Sequence, residues 1–180
     1  VLTEGMQVGM DFNPVPPVPA GLATVSVLGA GSKLSSGVPG SGLLFFGNES
    51  HVDFSITDGG AMEDFRFVNL AAGGSNGTML IDGPSSVLSL KGGGVQGAFM
   101  TIGCAGTGVL DITNGGKVII DGGVVGTSPG FQLGRDVNTG ADGTINVTGP
   151  GSSIEVKGDN RGFVTVGRNN TNNVALNITA

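Results

Sequence analysis

A chain of 180 residues with 36 glycines, 12% charged residues and a net charge of −6 fits a single domain large enough to bury its own core. Its acidic balance excludes the basic face that nucleic acid or anionic lipid would require, and no apolar run approaches the eighteen or so residues of a membrane-spanning helix. The glycines do not recur at every third position as collagen demands, and Leu, Ile, Val and Phe are too plentiful for a disordered chain, so glycine here punctuates a packed structure.

The chain opens on Val1, with no initiator Met and no basic-then-apolar leader, which reads as a processed chain or a segment of a longer one. Four of the eight prolines lie between Pro14 and Pro19, in DFNPVPPVPAG. Their fixed φ angles and missing N–H donors predict an extended Pro-rich arm or linker over residues 1–21. Beyond it, residues 22–180 show short apolar/polar alternations separated by Gly, Asn, Asp and Ser, the signature of strands rather than helices.

Self-similarity decides the fold class. TVSVLGAGSKL from Thr24 matches TINVTGPGSSI from Thr144, and GTMLIDGPSSVLSLKG from Gly77 matches GTINVTGPGSSIEVKG from Gly143. FSITDGGAM from Phe54 aligns with LDITNGGKV from Leu110, and ALNITA at the end starts the same unit again. The first inward residue of each unit is Val25, Phe54, Met79, Leu110, Ile145 or Leu176, at spacings of 29, 25, 31, 35 and 31 residues. Val27, Ile56, Ile81, Ile112, Val147 and Ile178 form the next inward column, while Ser26, Ser55, Leu80, Asp111, Asn146 and Asn177 between them point outward, as a two-residue period requires. Third strands end in Gly47 after Leu44 and Phe46, in Gly103 after Met100 and Ile102, in Gly134 after Phe131 and Leu133, and in Gly167 after Val164 and Val166.

A unit of about thirty residues cannot bury its own apolar side chains, whereas stacked units make one continuous core. The expectation is therefore all-β: a right-handed, single-stranded parallel β-helix with three strands per coil. Handedness follows from strand twist and the crossover rule. An antiparallel sandwich, the main rival, uses tight hairpins and predicts no long repeat. The stretch from Ala61 to Asn76 is irregular and leaves its register open.

The pattern of a TxNV-like strand, a Gly-Ser turn, an IxV strand and a VTVG or TIGxxGTG segment resembles the degenerate repeats of autotransporter and other type V secreted passengers, close to the autotransporter or PEP-CTERM-associated repeat family. It is carried by TINVTGPGSSIEVKG, FVTVGRNN, MTIGCAGTGVLDITNGGKVIIDGG and FQLGRDVNTGADGTINV, from about Gly77 to Ala180, with a looser match over residues 22–76 and none over 1–21. The resemblance implies a secreted, extracellular or bacterial cell-surface setting and a structural or adhesive role.

Parallel β-helices also include carbohydrate-active enzymes, whose sites cluster acids and bases on one exposed sheet. Asp111, Asp121, Asp136 and Asp142, with Arg135 nearby, are the densest carboxylates, and a pair could serve acid/base chemistry on a glycan. Asp58-Gly59-Gly60, Asp121-Gly122-Gly123 and Asn114-Gly115-Gly116 read instead as turns. With no Trp or Tyr, the usual amphipathic platforms for sugars are lacking.

His51 is the single histidine and Cys104 the single cysteine, so neither a His triad nor a disulfide within the chain is available. Calcium-binding nonapeptides are absent, and Lys91-Gly92-Gly93-Gly94 lacks P-loop spacing. The varied outward column speaks against an ice-binding face. Asn48, Asn76, Asn146, Asn169 and Asn177 fall in Asn-x-Ser/Thr triplets, which would accept glycans only in a eukaryotic secretory pathway.

The sequence therefore assigns no catalytic, cofactor-binding or metal residues, no cofactor and no enzymatic activity. It points to a secreted structural or adhesive solenoid, at the cell surface or in an extracellular filament, that either continues beyond Ala180 or associates with itself end to end through unpaired strand edges. A host or cell-surface receptor or glycan is the external partner, with no nucleic acid and no membrane insertion. The alternative is a polysaccharide lyase, hydrolase or tailspike-like enzyme using Asp111, Asp136 or Asp142.

Overall fold

The computed structural model describes residues 21–47, 50–72, 74–93, 96–123, 126–135, 141–158, 161–167 and 173–180, and the backbone of residues 5–8. Among the described residues there are strands and no helix: β1 (Gly5–Val8), β2 (Leu22–Leu28), β3 (Lys33–Ser35), β4 (Gly42–Phe46), β5 (His51–Thr57), β6 (Ala61–Ala72), β7 (Asn76–Asp82), β8 (Val87–Lys91), β9 (Phe99–Cys104), β10 (Thr107–Thr113), β11 (Lys117–Asp121), β12 (Gly130–Leu133), β13 (Asp142–Thr148), β14 (Ser153–Lys157), β15 (Phe163–Val166) and β16 (Val174–Thr179).

All of these strands pair in parallel with strands of neighbouring turns, which makes the chain a parallel β-solenoid. One sheet runs β2-β5-β7-β10-β13-β16. Val25, Phe54, Met79, Leu110, Ile145 and Leu176 stand directly beside one another in it, at the spacings read from the sequence. The larger sheet contains two ladders, β3-β6-β8-β11-β14 and β1-β4-β6-β9-β12-β15, joined because β6 belongs to both.

The core is the set of inward columns from these three ladders. Ile56, Ile81, Ile112, Leu88, Val118, Ile120, Met100, Ile102 and Leu133 are wholly buried. Toward the last strands the cover thins: Ile178, the end of the Val27 column, is 67% exposed. At β2, the other outermost strand of this sheet among the described residues, Val27 is still buried.

The corners explain the glycine-rich triplets. Asp58 (φ 53°) and Gly59 (φ 83°), like Asn114 (φ 51°) and Gly115 (φ 90°), occupy the left-handed region that Asp, Asn and Gly tolerate best. The second glycine has a different task. A Cβ on Gly60 would lie 2.3 Å from the Val27 carbonyl oxygen, and one on Gly116 would lie 2.2 Å from that of Ile81, so each lets one turn close onto the strand before it.

The stretch from Ala61 to Asn76, whose register the repeats leave open, contains β6, a twelve-residue strand. Its first half pairs with β3 and β8 and its second half with β4 and β9, with a register shift between Glu63 and Phe65. Asp64, at φ 69°, forms the bulge there. Its backbone oxygen accepts the Gly40 N–H at 2.9 Å and the Ser36 hydroxyl at 2.8 Å. A bulge replaces the loop that other turns place at this corner, which accounts for the short 25-residue step from Phe54 to Met79.

Gly5–Val8 pairs with β4, Gly5 opposite Leu43 and Val8 opposite Phe46. The proline cluster between Pro14 and Pro19 lies outside the described residues.

Candidate functional site

Two outer surfaces carry chemistry. The first is the outward face of the sheet β2-β5-β7-β10-β13-β16, where alternation presents Thr, Ser, Asn and Asp. Asn146 donates its amide N–H to Asp111 Oδ1 at 2.7 Å, and Asn177 donates to Asn146 Oδ1 at 2.8 Å. In the same column the Ser55 hydroxyl donates to Ser26 Oγ at 3.0 Å. On the column beside it, Thr78 Oγ1 donates to Asp53 Oδ1 at 2.6 Å, and His51 Nε2 lies 2.9 Å from the same oxygen. The Thr78 hydroxyl, with His51 beside it, holds the Asp53 carboxyl below the usual carboxylate range, against the opposing pull of burial.

The acidic residues singled out in the sequence do not come together. Asp111 is opposite Asn146, whereas Asp142 is opposite Thr107, four residues back along the strand. Strand geometry puts their side chains roughly 14 Å apart, beyond the roughly 5–10 Å of a glycosidase pair. Asp121 ends β11 in the other sheet, where its Oδ1 accepts the Gly123 N–H at 2.9 Å. Asp142 Oδ1 accepts the Asn173 N–H at 2.8 Å. Asp136 lies outside the described residues. A pair that sequence reading missed, Asp82 and Asp111, stands diagonally across β7 and β10 at roughly 8 Å. Asp82 Oδ1 already accepts Thr113 Oγ1 at 2.5 Å and Asn114 Nδ2 at 2.7 Å.

Compared with family models, curated proteins and solved structures, the chain matches none. The surfaces therefore have to be read from their own geometry.

The second surface is the outward face of the ladder β4-β6-β9-β12-β15. Phe45 meets Phe67 edge-on at 5.6 Å, Phe67 stacks on Phe99 at 5.7 Å with parallel rings, and Phe99 meets Phe163 at 5.6 Å. Gly130 separates Phe99 from Phe163 in register. A Cβ there would fall 2.8 Å from the Phe163 ring, so the glycine is what lets that ring lean back toward Phe99. The Arg135 guanidinium lies 5.7 Å from the Phe99 centroid, a cation–π contact. Beside the rings run Asn69, Thr101 and Gln132, paired across three strands and nearly fully buried. Asn69 Oδ1, Thr101 Oγ1 and Gln132 Oε1 have no hydrogen-bond partner.

Sequence reasoning missed this aromatic row because it sought platforms only in Trp and Tyr and used the third strands for their inward residues. The signal is the outward phenylalanine in LLFFG, FRFVN, AFMTIG and GFVTVG. Of the glycan-acceptor triplets, Asn76 is exposed at the start of β7, Asn146 and Asn177 are tied into the amide ladder, and Asn48 and Asn169 lie outside the described residues. Among the described residues no three His, Cys, Asp or Glu side chains gather in a metal-binding group, and no helix is long and apolar enough to cross a membrane.

Proposed function

We propose that this chain is a section of a secreted structural or adhesive solenoid, right-handed and with three strands per coil, of the kind that autotransporter-type passengers carry to the cell surface. The observation that supports it most is the use to which its carboxylates are put. Asp53, Asp82, Asp111 and Asp142 each accept a hydrogen bond from another turn of the solenoid. Glu63 is ion-paired with Lys33 of the preceding turn. A carboxylate that ties turn to turn is a structural part, and its bonds stiffen the outer surface. The three ladders support three strands per coil, and the crossover rule supports the right hand.

A stiff, polar, acidic surface of this kind suits a receptor or glycan on another cell and suits neither nucleic acid nor a bilayer. The purified chain, immobilised on beads, is expected to be retained on host-cell or glycan-coated surfaces and to leave acidic polysaccharides uncut. Release of reducing ends or unsaturated products, abolished by Asp111→Asn or Asp82→Asn, would overturn the reading in favour of a carbohydrate-active β-helix.

A further inference from the structure

The outward face of the third ladder carries two columns that differ in kind. One is an apolar wall of Phe67, Phe99 and Phe163, with Gly130 in the gap. The other is a polar floor of Asn69, Thr101 and Gln132, closed at one end by Phe45 and continued at the other by Thr165. The floor lies deep, with Asn69 6%, Thr101 0% and Gln132 5% exposed, yet Asn69 Oδ1, Thr101 Oγ1 and Gln132 Oε1 have no hydrogen-bond partner. Among the described residues these are all the buried side-chain nitrogen and oxygen atoms in that condition, and all three lie in this one row. An acceptor buried without a donor costs the fold the desolvation of that atom, so three together call for donors from outside the chain.

We infer that this row is a binding site for an acidic glycan, a chain of sugars bearing carboxylates. This rests on the adhesive reading above and deepens it by naming the ligand class and the face that takes it.

Charge selects the sign of the ligand. Asp53, Asp82, Asp111 and Asp142 stand on the first sheet, whereas β4, β9, β12 and β15 contain no Asp or Glu, and the second half of β6, from Phe65, contributes Arg66. Arg135 lies over the floor itself. Its N–H donates to the Gly103 oxygen at 3.2 Å while its guanidinium reaches back to 5.7 Å from the Phe99 centroid, and Thr101 stands between those two residues on β9. The Arg135 side chain, itself exposed, therefore closes the row. A carboxylate offers a guanidinium a bidentate, charge-assisted pair, which is stronger than its contact with a ring. An acidic ligand draws Arg135 aside and uncovers the acceptors, and a neutral one does not.

The spacing of the acceptors favours sugar over peptide. Neighbouring strands set them roughly 4.8 Å apart. An extended peptide lying along the row turns an N–H to the same side only at every second residue, roughly 6.7 Å, and falls out of step. Hydroxyl donors surround every ring of a glycan, so each acceptor finds one, while the C–H faces of the sugars rest against the phenylalanine wall.

Calorimetric titration of the 180-residue chain with a short oligouronate should show binding, and the same oligosaccharide with its carboxyls reduced to alcohols should bind about tenfold or more weakly. Arg135→Gln should remove that preference. Thr101→Val keeps the shape of the side chain and deletes an acceptor without a partner, so it should weaken the oligouronate about tenfold while the midpoint of urea unfolding stays or rises. Absence of binding, equal affinity of the parent chain for the reduced oligosaccharide, a preference that survives Arg135→Gln, or binding indifferent to Thr101→Val would each overturn the inference. So would a midpoint lowered by Thr101→Val, the sign of a hydroxyl already bonded within the fold, or tighter binding of an oligoglutamate peptide. Retention on host cells, measured beside these titrations, tests the adhesive reading separately: a chain that binds the oligouronate but passes over cells keeps the site and loses that reading, and one retained by cells without binding the oligouronate does the reverse.

Discussion

Gly116 shows what a single residue contributes to stacking. Its φ is unremarkable, so its value lies in the missing Cβ, which would sit 2.2 Å from the Ile81 carbonyl oxygen. Gly116→Ala must push two turns apart, and a loss of about 1–3 kcal/mol is expected from urea unfolding. Gly21→Ala, with nothing within 4 Å of its Cβ, should stay within about 0.5 kcal/mol. Equal losses at both would show that close approach is not what Gly116 provides. Asp53 tests the outer bonds. Its folded carboxyl is lowered by the Thr78 hydroxyl and then by His51, so its contribution is present above the unfolded carboxylate value, roughly 3.9, and disappears as pH falls through the lowered folded value. Asp53→Asn should therefore weaken the protein near neutral pH and converge with the parent in acid. A difference that ignores pH would mean that the Asp53 charge plays no part. At this scale the turn role of Asp58-Gly59 and Asn114-Gly115 was legible from residue type, because few residues accept positive φ. The close approach of Gly60 and Gly116 was not, since it depends on a strand one turn away.

Strands were legible where each turn repeats its neighbour's geometry. Leu110 and Ile112 could be placed beside Met79 and Ile81 from matched strings alone because an inward residue is followed two positions later by another, and the pairing repeats it residue for residue. Residues 61–76 resisted the same method. The bulge at Asp64 adds a residue to β6, so that Met62 and Phe65, three apart, both face inside, and a second register shift between Phe65 and Phe67 sends those two, only two apart, to the inside and the outside respectively. The aromatic row was hidden for a different reason: a column made of Leu43, Phe67, Phe99, Gly130 and Phe163 has no constant residue, and only the register reveals that its rings touch. Position within the stack also sets energy. Ile112, wholly buried between β7 and β13, should cost about 2–5 kcal/mol when replaced by Ala. Ile178 occupies the same column on the edge strand at 67% exposure, and Ile178→Ala should cost less than about 0.5 kcal/mol in the monomer. Similar costs at the two sites would mean that burial between two strands is not what sets the energy of this column.

Over the whole molecule, stability cannot be uniform, because in a solenoid each turn is held by its neighbours and an edge turn has only one. Local opening then costs least at the edges and most in the middle, and amide exchange reads that profile directly. In the 180-residue chain at low concentration, the ladder amides of β7 and β10 should exchange most slowly, with protection falling through β13 to β16 on one side and through β5 to β2 on the other. Equal protection in every strand would show a single cooperative unit instead, with stability shared evenly along the axis.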